Sequence, residues 1–160
     1  GLYLVLGSVP PGTLDTLAEL RKAGVPVFAY GSFVTALINF LLLAAKLLRS
    51  IAPFADVEVV EQHFRDKPEV SGTARKLAEA LSLEGDRITS LRVGGIVGHH
   101  EVIFGFPHQT VRLIHDSIRR EAFGTGAAFA LQALAAAPVG FHTFDELLMH
   151  KIRSELLATG

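Results

Sequence analysis

The chain lacks cysteine and has no marked excess of charge of either sign. Its 160 residues contain no Cys, and 15 basic against 16 acidic side chains give a net charge of −1. The missing cysteine excludes disulfides and thiolate metal sites, and it is compatible with the cytosol. The missing basic footprint argues against a nucleic-acid partner. No cationic segment with a cleavage site precedes an apolar stretch, so no signal peptide is predicted.

Several catalytic and binding signatures are also absent. A dinucleotide fingerprint needs a glycine-rich turn between a strand and a helix, and the glycines at 124 and 126 are followed by Phe129 where Gly or Ala is required. Neither a His-Glu-x-x-His motif nor a Gly-x-Ser-x-Gly elbow occurs. His99 and His100 are neighbours in a predicted strand and point to opposite faces, so the histidines predict no metal site.

One long apolar run, residues 33–48, raises the question of a membrane. A membrane span needs roughly 20 apolar residues. This run contains Asn39 and Lys46 and is followed by Arg49. It therefore predicts a helix buried on most sides, with Ser32 as its N-cap, and no membrane partner.

The order of the predicted elements changes near residue 50. Before it, a strand at 2–6, a helix at 13–22 and a strand at 25–30 form one parallel βαβ unit. After it come a strand at 56–61, an amphipathic helix, three strands and two helices, which is an α+β pattern with a mixed open sheet. The three strands are predicted at 87–93, 96–106 and 110–118, and the two helices at 121–136 and 143–157. We predict two domains, residues 1–50 and 51–160.

The residues between the first strand and helix of the second part have the chemistry of a binding site. His63 titrates near neutrality and can donate a proton, and Lys67 supplies a positive charge. Ser71 or Thr73 can cap the following helix, and Gly72 lets a ligand approach the main chain. Because a helix N-terminus favours an anion, this arrangement predicts a site for a small dicarboxylate.

Four segments then carry a family resemblance. They are residues 61–74 (Glu-Gln-His-Phe through Ser-Gly-Thr-Ala), residues 92–104 (Arg-Val-Gly-Gly-Ile-Val-Gly-His-His-Glu-Val-Ile-Phe), His115 with Arg120 and residues 123–127, and residues 140–148. In this order they resemble the motifs of dihydrodipicolinate reductase (4-hydroxy-tetrahydrodipicolinate reductase), including its Glu-x-His-His and Ser-Gly-Thr-Ala hallmarks. The likeness covers about residues 1–150.

The resemblance implies reduction of a cyclic imine-type dicarboxylate with NADPH or NADH, in the cytoplasmic lysine (diaminopimelate) pathway. It implies that His63 donates the proton and that Lys67 is the second catalytic group. Glu61 and Arg120 match family positions, and no chemistry is assigned to them. The implied substrate-binding residues are Phe64, Ser71, Gly72 and Thr73, and the implied cofactor-binding residues are Gly7, Ser8, Val9, Ala29, Tyr30, Gly31 and Ser32.

The sequence departs from the family pattern in three places. Phe64 stands where the family has a second His, the interval from Lys67 to Ser71 is one residue shorter, and the Asn before Ser32 is replaced by Gly31. Only six residues precede Gly7, so the chain resembles the last two strands of a Rossmann-like cofactor domain followed by the α+β substrate and oligomerisation domain. We expect an incomplete enzyme that binds NAD(P)H weakly on its own.

The family resemblance also implies a homotetramer, assembled through the strands at 96–106 and 110–118. An open sheet with one apolar side must be covered, which agrees with such an assembly. The alternative is a non-catalytic dicarboxylate-binding or oligomerisation module derived from the same enzyme.

Overall fold

The computed structural model describes residues 3–6, 19, 22–24, 27–30, 36–119, 121–138 and 141–158. The strands in this part of the chain are β1 (Tyr3–Leu6), β2 (Val27–Tyr30), β3 (Asp56–His63), β4 (Ile88–Arg92), β5 (Gly98–Phe106), β6 (Gln109–Ser117) and β7 (Phe141–His142). The longer helices are α1 (Ala36–Ile51), α2 (Gly72–Ala80), α3 (Ala122–Ala135) and α4 (Phe144–Ala158). A 3-10 turn, Gly85–Arg87, precedes β4.

The first sheet has the order β1-β2-β7, and both of its pairings are parallel. Leu6 lies opposite Tyr30, so β1 and β2 end side by side. The predicted parallel pair is thereby confirmed. Most of the predicted helix at 13–22 lies outside the described residues, and so does Ser32, the predicted N-cap of the helix at 33–48. The two-residue strand β7 was not predicted, since two residues show no alternation of polarity.

The second sheet is mixed and has the order β4-β3-β5-β6. β3 runs parallel to β4 and antiparallel to β5, and β5 runs antiparallel to β6. The strands begin and end within two residues of the predicted positions, and β3 continues to His63. The predicted α/β remnant followed by an α+β part with a mixed open sheet is confirmed.

Helix α2 covers one face of this sheet. Along β3 every second residue from Val57 to His63 is buried, as expected for a strand with one covered face. Leu77 of α2 is 2% exposed, and α2 contacts β3, β4 and β5. The apolar part of this core consists of Val57, Val59, Val102, Phe104, Ala74, Leu77, Ala78 and Leu81.

Helix α1 corrects one expectation. Its buried residues Ile38, Leu41 and Ala45 form a single stripe with helical spacing. Leu37 and Phe40 are 63% and 53% exposed, so the prediction of a helix buried on most sides is wrong for the described chain. Among the described helices, none has the length and apolar character needed to cross a membrane.

The chain divides into two compact units. One comprises residues 1–36 and 123–160, and the other comprises residues 37–122. The second unit contains the mixed sheet, α2 and most of α1. Compactness does not test whether residues 1–50 derive from a dinucleotide-binding domain, so the predicted division at residue 50 stays a prediction.

Candidate active site

The centre of the candidate site is a buried carboxylate, Glu61, which has no solvent exposure. It lies on β3 two residues before His63, and alternate residues of a strand point to the same face. The Nδ1 atom of His63 is hydrogen-bonded to Oε2 of Glu61. The side chain of His63 is itself buried, and its ring centroid lies 5.3 Å from that of His100. The strand geometry alone therefore pairs these two groups.

Besides His63, three residues donate four hydrogen bonds to the carboxylate of Glu61. Arg92 approaches it with two nitrogens, Nη1 at 3.1 Å from Oε2 and Nη2 at 2.8 Å from Oε1. The hydroxyl of Ser90 is 2.7 Å from Oε1, and the backbone amide of Ser71 is 3.3 Å from the same oxygen. Burial opposes the charge, but these hydrogen bonds, led by those from Arg92 and Ser90, lower the pKa of Glu61 to about 2.

Arg92 also binds the loop that carries Lys67. Its Nε donates to the carbonyl of Lys67 at 3.0 Å, and its Nη2 donates to the carbonyl of Glu69 at 2.8 Å. The Lys67 amide in turn donates to the carbonyl of Phe64 at 3.1 Å. Lys67 is half-buried, whereas Phe64 is 37% exposed. One guanidinium thus links the buried carboxylate to the loop with the predicted second catalytic group.

The N-terminus of α2 lies on the other side of Glu61. Ser71 is the N-cap, and its hydroxyl accepts from the Thr73 amide at 3.2 Å. The same hydroxyl lies 2.8 Å from Nε2 of His100. A hydroxyl that accepts from Thr73 has its own proton available for His100, so we assign Nε2 of His100 as the acceptor. Gly72 is exposed, and the space around its Cα is open to a ligand.

His100 is neutral in this arrangement. Burial lowers its pKa to about 3, and the nearby His63 and other histidines contribute to the shift. His99, its neighbour in β5, instead bonds Asp116 at 2.7 Å on the opposite face of the sheet. The prediction that the two histidines point to opposite faces is confirmed. The described residues contain no group of three His, Cys, Asp or Glu side chains that would hold a metal ion.

The structure brings together some of the predicted site residues and adds others. Glu61 joins His63 to Ser71, and Ser71 begins the helix that carries Gly72 and Thr73. Lys67 reaches the site through its carbonyl, which Arg92 binds. Sequence reasoning assigned no chemistry to Glu61 and overlooked its partners Ser90 and Arg92. The two-residue spacing of Glu61 and His63 was the available signal.

The predicted cofactor residues are only partly described. Gly7, Ser8, Val9, Gly31 and Ser32 lie outside the described residues, as does Arg120. Ala29 and Tyr30 form the carboxyl end of β2, next to the carboxyl end of β1. In open parallel sheets, ligands bind beyond the carboxyl ends of the strands.

A family model described as "Dihydrodipicolinate reductase, C-terminus" matches residues 34–148. The chain belongs to the dihydrodipicolinate reductase family. Among its relatives, the 4-hydroxy-tetrahydrodipicolinate reductase of Myxococcus xanthus is 32% identical over 173 aligned residues, which cover 92% of this chain and 64% of that protein. The chain therefore spans somewhat less than two thirds of this reductase.

A solved structure shares the fold. The dipicolinate-bound dihydrodipicolinate reductase from Paenisporosarcina sp. TG-14 superimposes with a TM-score of 0.68 at 22% identity. The match covers 88% of this chain and 62% of that chain. At this level of identity the likeness supports the fold class and not the details of the site.

A second, short likeness is to a different class of protein. The large-conductance mechanosensitive channel of Paracidovorax citrulli is 72% identical to this chain over 43 residues. The match covers 27% of this chain and 30% of the channel, so it does not define the family of the whole chain.

Proposed function

We propose that this chain is the substrate-binding part of a reductase that converts 4-hydroxy-tetrahydrodipicolinate to tetrahydrodipicolinate in lysine (diaminopimelate) biosynthesis. The observation that carries the proposal is the fully buried carboxylate of Glu61. It binds the imidazole of His63 and also the N-cap amide of α2. The proposed proton donor, His63, and a helix N-terminus that can bind an anion are thus joined in a chain that belongs to this family.

The N-terminus of α2 supports a carboxylate-binding role. Its first turn contains no acidic residue, and Gly72 is exposed with room for a ligand beside its backbone. Among the described groups, none accepts from the Gly72 amide. We assign this amide and the hydroxyl of Thr73 to one carboxylate of the substrate, because free N–H groups at a helix start favour an anion. Lys67 supplies a further positive charge from the neighbouring loop.

The proposed chemistry divides the reduction between two components. NADPH or NADH, when bound, supplies a hydride to a ring carbon of the substrate and is left oxidised. His63 supplies the proton that the reduced substrate needs, and the imidazole is left neutral. The 4-hydroxyl group leaves together with a ring proton as water, which balances the conversion. The side-by-side carboxyl ends of β1 and β2 fit a cofactor placed beyond Leu6 and Tyr30.

The proposal also concerns the cellular setting and assembly. We infer a cytoplasmic homotetramer from the family resemblance. Its assembly is supported by β6, which is an edge strand of the mixed sheet with large apolar side chains exposed near it. Ile114 is 53% exposed and Ile118 is 83% exposed. Covering these side chains with a second copy would remove apolar surface from water.

Calorimetric titration with pyridine-2,6-dicarboxylate tests the proposed binding site. We expect the wild-type chain to bind it, and we expect Thr73→Ala and His63→Ala to weaken binding by at least about tenfold, which corresponds to about 1.4 kcal/mol. Gln109→Ala, a change at an exposed residue of β6, is the matched control and should leave the affinity unchanged. Equal affinity in the wild type and Thr73→Ala would contradict the site.

The same titration separates the reductase from the non-catalytic alternative. In the reductase, bound NADPH and dicarboxylate lie next to one another, so each should change the affinity for the other by the same factor. A binding module without cofactor chemistry would bind the dicarboxylate independently of NADPH at every nucleotide concentration.

A further inference from the structure

The geometry points to Glu61 as the positioning residue that selects which nitrogen of His63 donates the proton. This inference rests on the proposed function, because it assigns a task to His63 in that reaction. Glu61 is in contact with His63 and lies below the surface, so it is not itself expected to touch the substrate.

The protonation state of Glu61 fixes the tautomer of His63. The carboxylate faces a bidentate guanidinium, a hydroxyl and a backbone amide, and all of these require it to accept. An ionised carboxylate has no proton to donate. The proton in the hydrogen bond between Glu61 and His63 must therefore be on Nδ1. Nε2 is then the nitrogen that can gain and lose a proton.

No side chain at position 98 covers that second nitrogen. A Cβ atom at position 98 would lie 3.4 Å from Nε2 of His63, and Gly98 has no such atom. When the imidazole is charged, Nε2–H can be donated to a substrate. The ring that remains is the neutral Nδ1–H form that Glu61 already holds, so donation requires no rotation of the ring.

Glu61 also fixes the distance between the proton donor His63 and the proposed anion site at the start of α2. Its Oε2 binds the imidazole, while its Oε1 accepts from the Ser71 amide at the start of α2. The acid and the helix end are thereby held by two oxygens of one rigid group. Arg92 keeps this group charged and extends the same network to the carbonyl of Lys67.

The tautomer of His63 is directly measurable by 15N NMR of histidine-labelled protein, at a pH high enough that its nitrogen shifts no longer change. His63→Gln identifies the His63 signals. We expect a protonated Nδ1 and an unprotonated Nε2 in the wild type. In Glu61→Gln, whose amide can both donate and accept, we expect the two nitrogens to share the proton. The control is Glu58→Gln, the same change on the other face of β3, which should leave the pattern of the wild type.

A wild-type spectrum with the proton on Nε2 would overturn the inference, even if Glu61→Gln fails to fold. So would a Glu61→Gln spectrum identical to that of the wild type. Glu61→Asp provides a second variant, because it keeps the charge but shortens the reach by one methylene, and it should also disturb the tautomer.

Binding of pyridine-2,6-dicarboxylate separates this result from the proposed function. If the wild type has the expected tautomer but does not bind the dicarboxylate, the proposed function fails and the arrangement of Glu61 and His63 stands. If the wild type binds the dicarboxylate and Nε2 carries the proton, the positioning role fails and the binding function stands.

Discussion

The N-termini of α2 and α4 satisfy the preference of a helix start for negative charge in opposite ways. Helix α4 begins with a reciprocal cap, in which the Thr143 hydroxyl accepts from the Glu146 amide and Glu146 accepts from the Thr143 amide. Its first turn contains Asp145 and Glu146. Helix α2 has the Ser71 cap and no acidic residue in its first turn.

The difference supports the proposal that α2 has the binding end and α4 a structural one. A helix start attracts negative charge, and α4 satisfies this preference with its own side chains. At α2 the nearby carboxylate, Glu61, binds the cap residue and is neutralised by Arg92, while the exposed Gly72 amide is left to an external group. The lack of an acid in the first turn is therefore the informative feature of α2.

Removing the neutralising partner at α2 should have the largest effect. Arg92→Ala leaves the carboxylate of Glu61 buried without its cation, and breaking such a pair costs about 3–5 kcal/mol of unfolding free energy. Urea denaturation followed by circular dichroism suits this protein, which has no Trp. Arg87→Ala removes a cation from an exposed pair with Asp56 and should cost less than about 1 kcal/mol. Equal losses in the two variants would contradict the assigned role of burial.

Acid should destabilise the α2 end at a higher pH than the α4 end. His100 binds a proton at about pH 6.5 when unfolded, but its folded pKa of about 3 keeps it neutral. The unfolded chain then binds the extra proton, so stability is full above pH 6.5 and falls by about 1.4 kcal/mol per pH unit below it. From pH 6.5 to 5 the loss is about 2 kcal/mol.

The carboxylates of Glu61 and Glu146 affect stability only at a lower pH. Because the pKa values of Glu61 and Glu146 are lowered, both carboxylates stabilise the folded state at pH values above the ordinary pKa of Glu. This stabilisation is lost only as the pH falls below about 4.5. Urea midpoints measured between pH 8 and 4 test the order. His100→Gln should flatten the curve between pH 6.5 and 5. An unchanged slope in that variant would assign the acid sensitivity to another group.

Giving α2 an acid of its own should make it resemble α4. Thr73→Glu places a carboxylate in the first turn, where it should raise helix stability by about 0.3–1 kcal/mol. The same charge should compete with a ligand and weaken binding of pyridine-2,6-dicarboxylate by at least about tenfold. Gln132→Glu adds an equal charge to an exposed position of α3 and serves as the control. A stable Thr73→Glu variant that binds the dicarboxylate as tightly as the wild type would remove α2 as the anion site.

The smallest effect is expected at α4. Thr143→Ala removes the reciprocal cap, and loss of an exposed cap of this kind costs about 1 kcal/mol. Affinity for pyridine-2,6-dicarboxylate should not change, since α4 satisfies its own helix start. Thermal unfolding and calorimetry of the same sample measure the two quantities, and a loss of affinity would show that the two helix ends are not functionally separate.

Much of the fold was accessible from local patterns. Alternation of polarity predicted β5 and β6, and the Ser-Gly-Thr turn predicted the start of α2 with Ser71 or Thr73 as cap, of which the structure selects Ser71. The family motifs correctly indicated the reductase family. These signals depend on neighbouring residues, for which strand and helix periods are sufficient.

The buried network was less accessible because its members are distant in sequence. Arg92 reaches Glu61 through the parallel register of β3 and β4, and His100 reaches Ser71 from β5. A single sequence does not fix either register. Glu61 and His63 are the exception, since strand geometry alone places them on one face.

The division of the chain into two units leaves the hydrogen-bonded network around Glu61 entirely within one of them. Glu61, His63, Ser71, Ser90, Arg92 and His100 all belong to the continuous unit 37–122, while the other unit is made of the two flanking segments. Residues 37–122 thus form one continuous cassette, joined to the rest of the chain only at positions 36 and 123. Grafting or exchanging that cassette would move Glu61 and its hydrogen-bond partners as one piece.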